Sequence, residues 1–139
     1  GKVQILAVLT MDGCLSSELY DKTHQDLCLD RCGLDEIRKK ALYRVTPDYS
    51  ISMLHEWRKD CTNIRYLAEA TPDTADYING LLRMHAVDEI ILYTVPFISG
   101  SGRHFFKSAL PEQHWTLSSL KSYPNGVCRI IYILDKKAR

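Results

Sequence analysis

The sequence predicts an α/β fold, a three-layer sandwich whose central sheet is mostly parallel and ends in an antiparallel C-terminal edge strand. Three observations carry that expectation. The chain opens on a continuous apolar run, VQILAVLTMDG over 3–13, of the kind that fills a strand buried on both faces. Strand-like and helix-like segments then alternate as far as residue 98. Finally, two apolar stretches flank Pro124-Asn125-Gly126, a turn suited to a hairpin.

Taken in order, Asp12-Gly13 closes the first strand. Thr23, with Asp26 three residues on, gives a capping pattern for a helix through Leu27, Cys28, Arg31 and Cys32, which Gly33 ends. LDEIRKKAL (34–42) is a second helical stretch and YRVT (43–46) a short strand. SISMLHEWRK (50–59) places Ile51, Leu54 and Trp57 on one helical face, and IRYLAEA (64–70) reads as a strand. TPDTADYINGLLRMH (71–85) predicts a helix starting at Thr71 or Pro72. Thr71 is its N-cap, Asp73 and Asp76 suit its first turn, and Ala75, Ile78, Leu81 and Leu82 form its apolar stripe. Strands follow at EIILYTVPFI (89–98), TLSSL (116–120) and VCRIIYIL (127–134).

The length of 139 residues, with no linker, repeat or low-complexity tract, predicts one domain over 1–139. A net charge of +1 gives no bulk attraction to nucleic acid or to a membrane surface. No apolar stretch approaches a membrane span and no signal-like segment opens the chain, which fits a cytoplasmic protein. Five scattered cysteines fit free thiols in a reducing compartment. His24, Cys28 and Cys32 share a helical face, but their spacing is no trusted zinc pattern, so no metal is expected. Asp88 and Glu89 are adjacent in a strand and point to opposite faces, so they cannot share a proton. Arg103, His104 and Lys107 read as a solvated basic rim.

The stretch VDEIILYTVPFISGSGRHFF (87–106) joins a strand, a Gly-x-Gly loop and two aromatics. Glycine tolerates positive φ there, and Phe105 and Phe106 are expected to pack the loop onto the core. The stretch resembles the signature V-D-E-x-x-L-x-x-x-P-x-x-x-G-x-G-x-x-x-F of the dihydrofolate-reductase-like superfamily. Within it, the likeness is to the reductase domain of the bifunctional riboflavin-biosynthesis deaminase–reductase. LTMDG (9–13) resembles the family's S-x-D-G, with Thr10 where serine is usual. YLAEATPDTADYINGLL (66–82) resembles V-E-[GA]-G-P-x-L-x-x-x-L-L, with Glu69, Ala70 and Pro72 matching and Thr71 in a glycine position. NGVCRIIYIL resembles the closing strand.

The resemblance implies a dihydrofolate-reductase-like fold and an NADPH-dependent reductase of a small heterocycle, a pyrimidine or a pterin-like compound. It implies that Glu69 touches substrate and that Ala70, Thr71, Pro72, Asp73, Thr74 and Ala75 lie along the cofactor diphosphate. Thr10, Asp12 and Gly13 would lie near the nicotinamide; no catalytic residue is indicated. It also implies a homodimer, with Phe97, Phe105, Trp115 and Tyr132 as apolar surface for it. Against the pattern, Thr71 replaces a glycine, Asp73 and Asp76 add negative charge, and residues 14–63 lack a Gly-Arg-x-Thr-like turn. The alternative is therefore a degenerate member without turnover, a ligand-binding or scaffold protein. The Ala70–Thr71 peptide is expected to be trans, because cis costs about 3–4 kcal/mol away from proline.

Overall fold

A computed structural model of the chain describes residues 1–16 and 29–135. Of the helix expected from Thr23, only the end lies among them, as a 3-10 turn over Leu29–Cys32; His24 and Cys28 lie outside. The strands are β1 (Lys2–Leu9), β2 (Tyr43–Arg44), β3 (Arg65–Glu69), β4 (Glu89–Thr94), β5 (Trp115–Ser122) and β6 (Cys128–Leu134). The helices are α1 (Leu34–Lys40), α2 (Ile51–Arg58) and α3 (Ala75–Arg83). One sheet runs in the order β2-β3-β1-β4-β6-β5. Its first four strands are parallel, and the β5–β6 hairpin forms an antiparallel edge with β5 outermost.

The central position of β1 follows from its sequence. A strand that is apolar but for Gln4 gains most when both faces are covered, and β1 lies inside the sheet, paired with β3 along one edge and β4 along the other. Alternate residues feed two cores. Val3, Ile5, Ala7 and Leu9 pack with Leu54 of α2 and with Ile78 and Leu81 of α3. Leu6 points the other way, to the cluster of Leu34, Leu67, Ile91 and Tyr93 on the α1 side. That is the expected three-layer arrangement. Ser50 caps α2, its hydroxyl accepting from Met53 N at 3.1 Å.

Two expectations change. The helix after β3 starts at Ala75, not at Thr71 or Pro72. Residues 71–74 form a separate turn, because Thr74 Oγ1 accepts from Thr71 N at 2.8 Å and donates back to the Glu69 carbonyl at 2.8 Å. The turn also leads into the helix: Thr71 Oγ1 accepts from Thr74 N at 3.2 Å and Thr71 O from Ala75 N at 3.0 Å, the capping bonds expected of Thr71. Phe105 is the second change: it is fully buried in the core and offers no surface to a partner, while Phe106 beside it is 41% exposed. No cis peptide occurs among the described residues, so Ala70–Thr71 is trans. No described helix is long and apolar enough to cross a membrane. Cys14, Cys61 and Cys128 are free thiols, and no group of three metal-ligating side chains occurs among the described residues.

Candidate functional site

Because β1, β3 and β4 are parallel, the segments after Leu9, Glu69 and Thr94 emerge at one end of the sheet, where open α/β sheets bind ligands. The segments after β1 and β4 are laced together. Met11 N donates to Phe97 O at 2.9 Å, Leu15 N to Arg103 O at 2.9 Å and Phe105 N to Gly13 O at 3.0 Å. Gly13 and Gly100 take φ of +80° and +76°, which glycine reaches without strain. A Cβ on Gly102 would come within 2.9 Å of Cys14 Cβ, so backbone passes where no side chain fits. Asn79 of α3 fastens the far end of the loop. It is fully buried, donates to Phe105 O at 2.8 Å and accepts from Lys107 N at 3.0 Å.

Asp12 sits at the centre of this lacing. Its carboxylate accepts from the Thr10 hydroxyl, from Ser99 N at 3.1 Å and from Gly100 N at 3.0 Å. The Thr10 hydroxyl, followed by the Gly100 and Ser99 N–H groups, holds the carboxyl far below the usual carboxylate range. Buried Thr10 also accepts from Cys14 N at 3.0 Å. Both carboxylate oxygens are thus engaged within the loops.

The Glu69 carboxylate faces the α1 side. Arg38 of α1 binds it with two nitrogens, and Arg44 of β2 adds a contact at 3.2 Å. Glu69 thus holds two guanidiniums, about one-third exposed at Arg38 and half-exposed at Arg44. Neither arginine was singled out by the sequence reading. Arg44 reaches Glu69 through the pairing of Tyr43-Arg44 with Tyr66-Leu67, and a two-residue strand carries almost no periodic signal. Between the 71–74 turn and the glycine loop lies a cleft of about 480 Å³, lined by Pro72, Asp73, Ser99, Ser101, Gly102 and Arg103.

Solved structures share this architecture. A candidate riboflavin biosynthesis protein from Shewanella sp. PV-4 superposes with a TM-score of 0.65 at 11% identity, over 98% of this chain and 100% of that one. RibD from Acinetobacter baumannii gives a TM-score of 0.63 at 11% identity, over 97% of this chain and 58% of that one, so this chain matches part of a longer protein. The riboflavin biosynthesis reductase Rib7 of Saccharomyces cerevisiae gives 0.54 at 11% identity, over 98% and 89%. The chain has the dihydrofolate-reductase-like fold. No protein-family profile matches it, and no curated protein does.

In the dihydrofolate-reductase-like fold found here, the two walls of the cleft suit a dinucleotide unequally. Along 70–75 most backbone donors are committed, Ala70 N to Leu6 O, Thr71 N to Thr74 Oγ1, and Thr74 N and Ala75 N to Thr71 O, which leaves the Asp73 N–H. Pro72 has no N–H, and Asp73 brings a negative charge to the lining. That wall offers a diphosphate few donors, and the Asp73 carboxylate opposes its charge. The opposite wall carries Ser101 and the exposed Arg103, which has no ion-pair partner among the described residues, and it fits an anionic group.

Proposed function

We propose that the chain is a reductase of the riboflavin-biosynthesis type acting on a small heterocyclic substrate that carries a phosphate. The observation that supports this most is the Glu69–Arg38–Arg44 cluster at the carboxyl end of β3, where the following turn lines the cleft. Arg44, half-exposed beside Glu69, suits an anionic substrate, while Glu69 holds both guanidiniums in place. NADPH, through Ser101 and Arg103, would supply the hydride when bound. A homodimer across the exposed edge strand β5, with Leu117 and Leu120 at the contact, belongs to the same reading.

A second reading, a ligand-binding protein without turnover, is favoured by the scarcity of open donors along 70–75 and by the engaged Asp12 carboxylate. Titration with NADPH, followed by its fluorescence, separates the two. The expected dissociation constant is no better than roughly 100 µM. Thr71→Gly with Asp73→Leu should tighten it several-fold by removing bulk and a repelling charge. Oxidation of NADPH on adding a ribosyl-phosphate pyrimidine establishes the reductase. Saturable binding of that pyrimidine with no oxidation at any NADPH concentration establishes the second reading.

A further inference from the structure

Along β5 the register against β6 skips Ser118: Leu117 pairs with Tyr132, Ser119 with Ile131 and Leu120 with Ile130. Residues directly opposite in an antiparallel pair lie on the same face of the sheet. Leu117 and Leu120 are three residues apart and would point to opposite faces of a regular strand. The extra residue puts both on the face of Tyr132 and Ile130. Those two pair in turn with Ile90 and Leu92 of β4, which fixes the face as the α2–α3 side of the sheet. Thr116, Ser119 and Lys121 are left on the α1 side.

Neither core takes up this stripe. Leu117 is 52% and Leu120 64% exposed, while Ile130 and Tyr132 are half-buried. None of the four packs into the cluster under α2 and α3 or into the one under α1. No charged side chain stands at any paired position of this face between Trp115 and Ser122 or between Cys128 and Leu134. A single exposed leucine is ordinary, but a contiguous apolar stripe outside the core marks a contact surface.

We propose that a second copy of this chain covers the stripe, the two hairpins stacking face to face about a two-fold axis. An uncharged face gives an acidic or basic partner, or a charged lipid surface, nothing to pair with, but it matches its own copy in polarity. With Leu92 beside it the stripe is three strands wide, and two such faces stacked about 10 Å apart bury on the order of 1,000 Å², the lower bound of a specific interface. Joining the sheets edge to edge instead means running a ladder past the irregularity at Ser118, which twists the edge and breaks the spacing of its donors. The contact deepens the homodimer of the proposed reading, on which it rests, by naming the surface that forms it.

Sedimentation velocity of the full chain between about 1 and 100 µM tests it. The wild type is expected to dimerise. Leu117→Glu and Leu120→Glu should each raise the dimer dissociation constant at least roughly tenfold with circular dichroism unchanged, because both side chains are exposed in the monomer. Ser122→Pro separates face from edge. Tyr123 N donates to Val127 O, so by antiparallel alternation the Ser122 N–H points away from β6, and proline there blocks an edge ladder without breaking the hairpin. A dimer that survives Ser122→Pro and is lost with Leu120→Glu supports the proposal. Loss with Ser122→Pro, or tolerance of both glutamates, leaves the homodimer standing and overturns the face contact. A wild type that stays monomeric at about 100 µM overturns both.

Discussion

At the amino end of the parallel strands, Asp88 accepts from Arg58 at 2.9 and 2.7 Å and from Val3 N at 2.9 Å. At the carboxyl end, Asp12 accepts from a hydroxyl and two backbone N–H groups. Both aspartates tie a strand or its exit loop to distant chain, yet they do so in different ways. The Arg58–Asp88 pair is nearly buried, with side chains 11% and 14% exposed, and Arg58 also donates to His85 O at 2.6 Å. Its charges cancel, and removing Asp88 leaves Arg58 without its carboxylate. Asp12 keeps its negative charge and is held by neutral donors, so the loops around it are shaped without being neutralised. The amino end is a stability device, whereas the carboxyl end is a shaped loop whose donors can be withdrawn piecemeal.

The largest effect that would sharpen this contrast is at the amino end. Asp88→Ala leaves the Arg58 guanidinium largely buried and unpaired by its carboxylate, and should cost about 3 kcal/mol or more in urea unfolding. Ligand binding in the cleft should survive at temperatures where the variant stays folded. A loss below about 1 kcal/mol would show that the pair is exposed enough to be dispensable.

Asn79→Ala is next. It removes the buried bonds to Phe105 O, Ala75 O and Lys107 N, and should cost roughly 1–3 kcal/mol. Amide exchange should quicken in the glycine loop more than in β1. Uniform quickening across the sheet would mean that the loop is not a separate unit.

Asp12→Asn gives the smallest change at neutral pH and the most selective one in acid. The folded carboxyl titrates below its ordinary 3.8, so its stabilising contribution is complete above that value and is lost as the pH falls beneath it. Thermal melts of the wild type should therefore fall more steeply below pH 4 than those of the variant. Parallel acid limbs would remove Asp12 as the anchor of Ser99 and Gly100.

The parallel half of the fold was legible because strands buried on both faces write themselves as near-continuous apolar runs, as 5–9 and 90–93 do. The glycine loop was legible because Gly100 and Gly102 answer local backbone needs. The start of α3 was not. Thr71 makes the capping bond, but regular helix begins only past Thr74, whose hydroxyl is tied to the Glu69 carbonyl that only the folded strand supplies. Which of Phe105 and Phe106 enters the core was equally hidden, since the two are adjacent and the loop, tied through Phe105 O to Asn79, decides between them. Glu69 was found, but its arginines come from α1 and β2, and no local pattern joins them to it.

The strand order has a consequence for how the chain is made. β1 leaves the ribosome before both of its partners, which begin only at residues 65 and 89. Until then its run of Val, Ile, Leu and Ala has two open edges and no covering layer. Loop closure over that span has to precede any reward from pairing, so the sheet assembles late and slowly. During that interval the nascent chain presents an adhesive apolar strand, which makes synthesis, rather than the finished fold, the stage most exposed to aggregation and most dependent on chaperones.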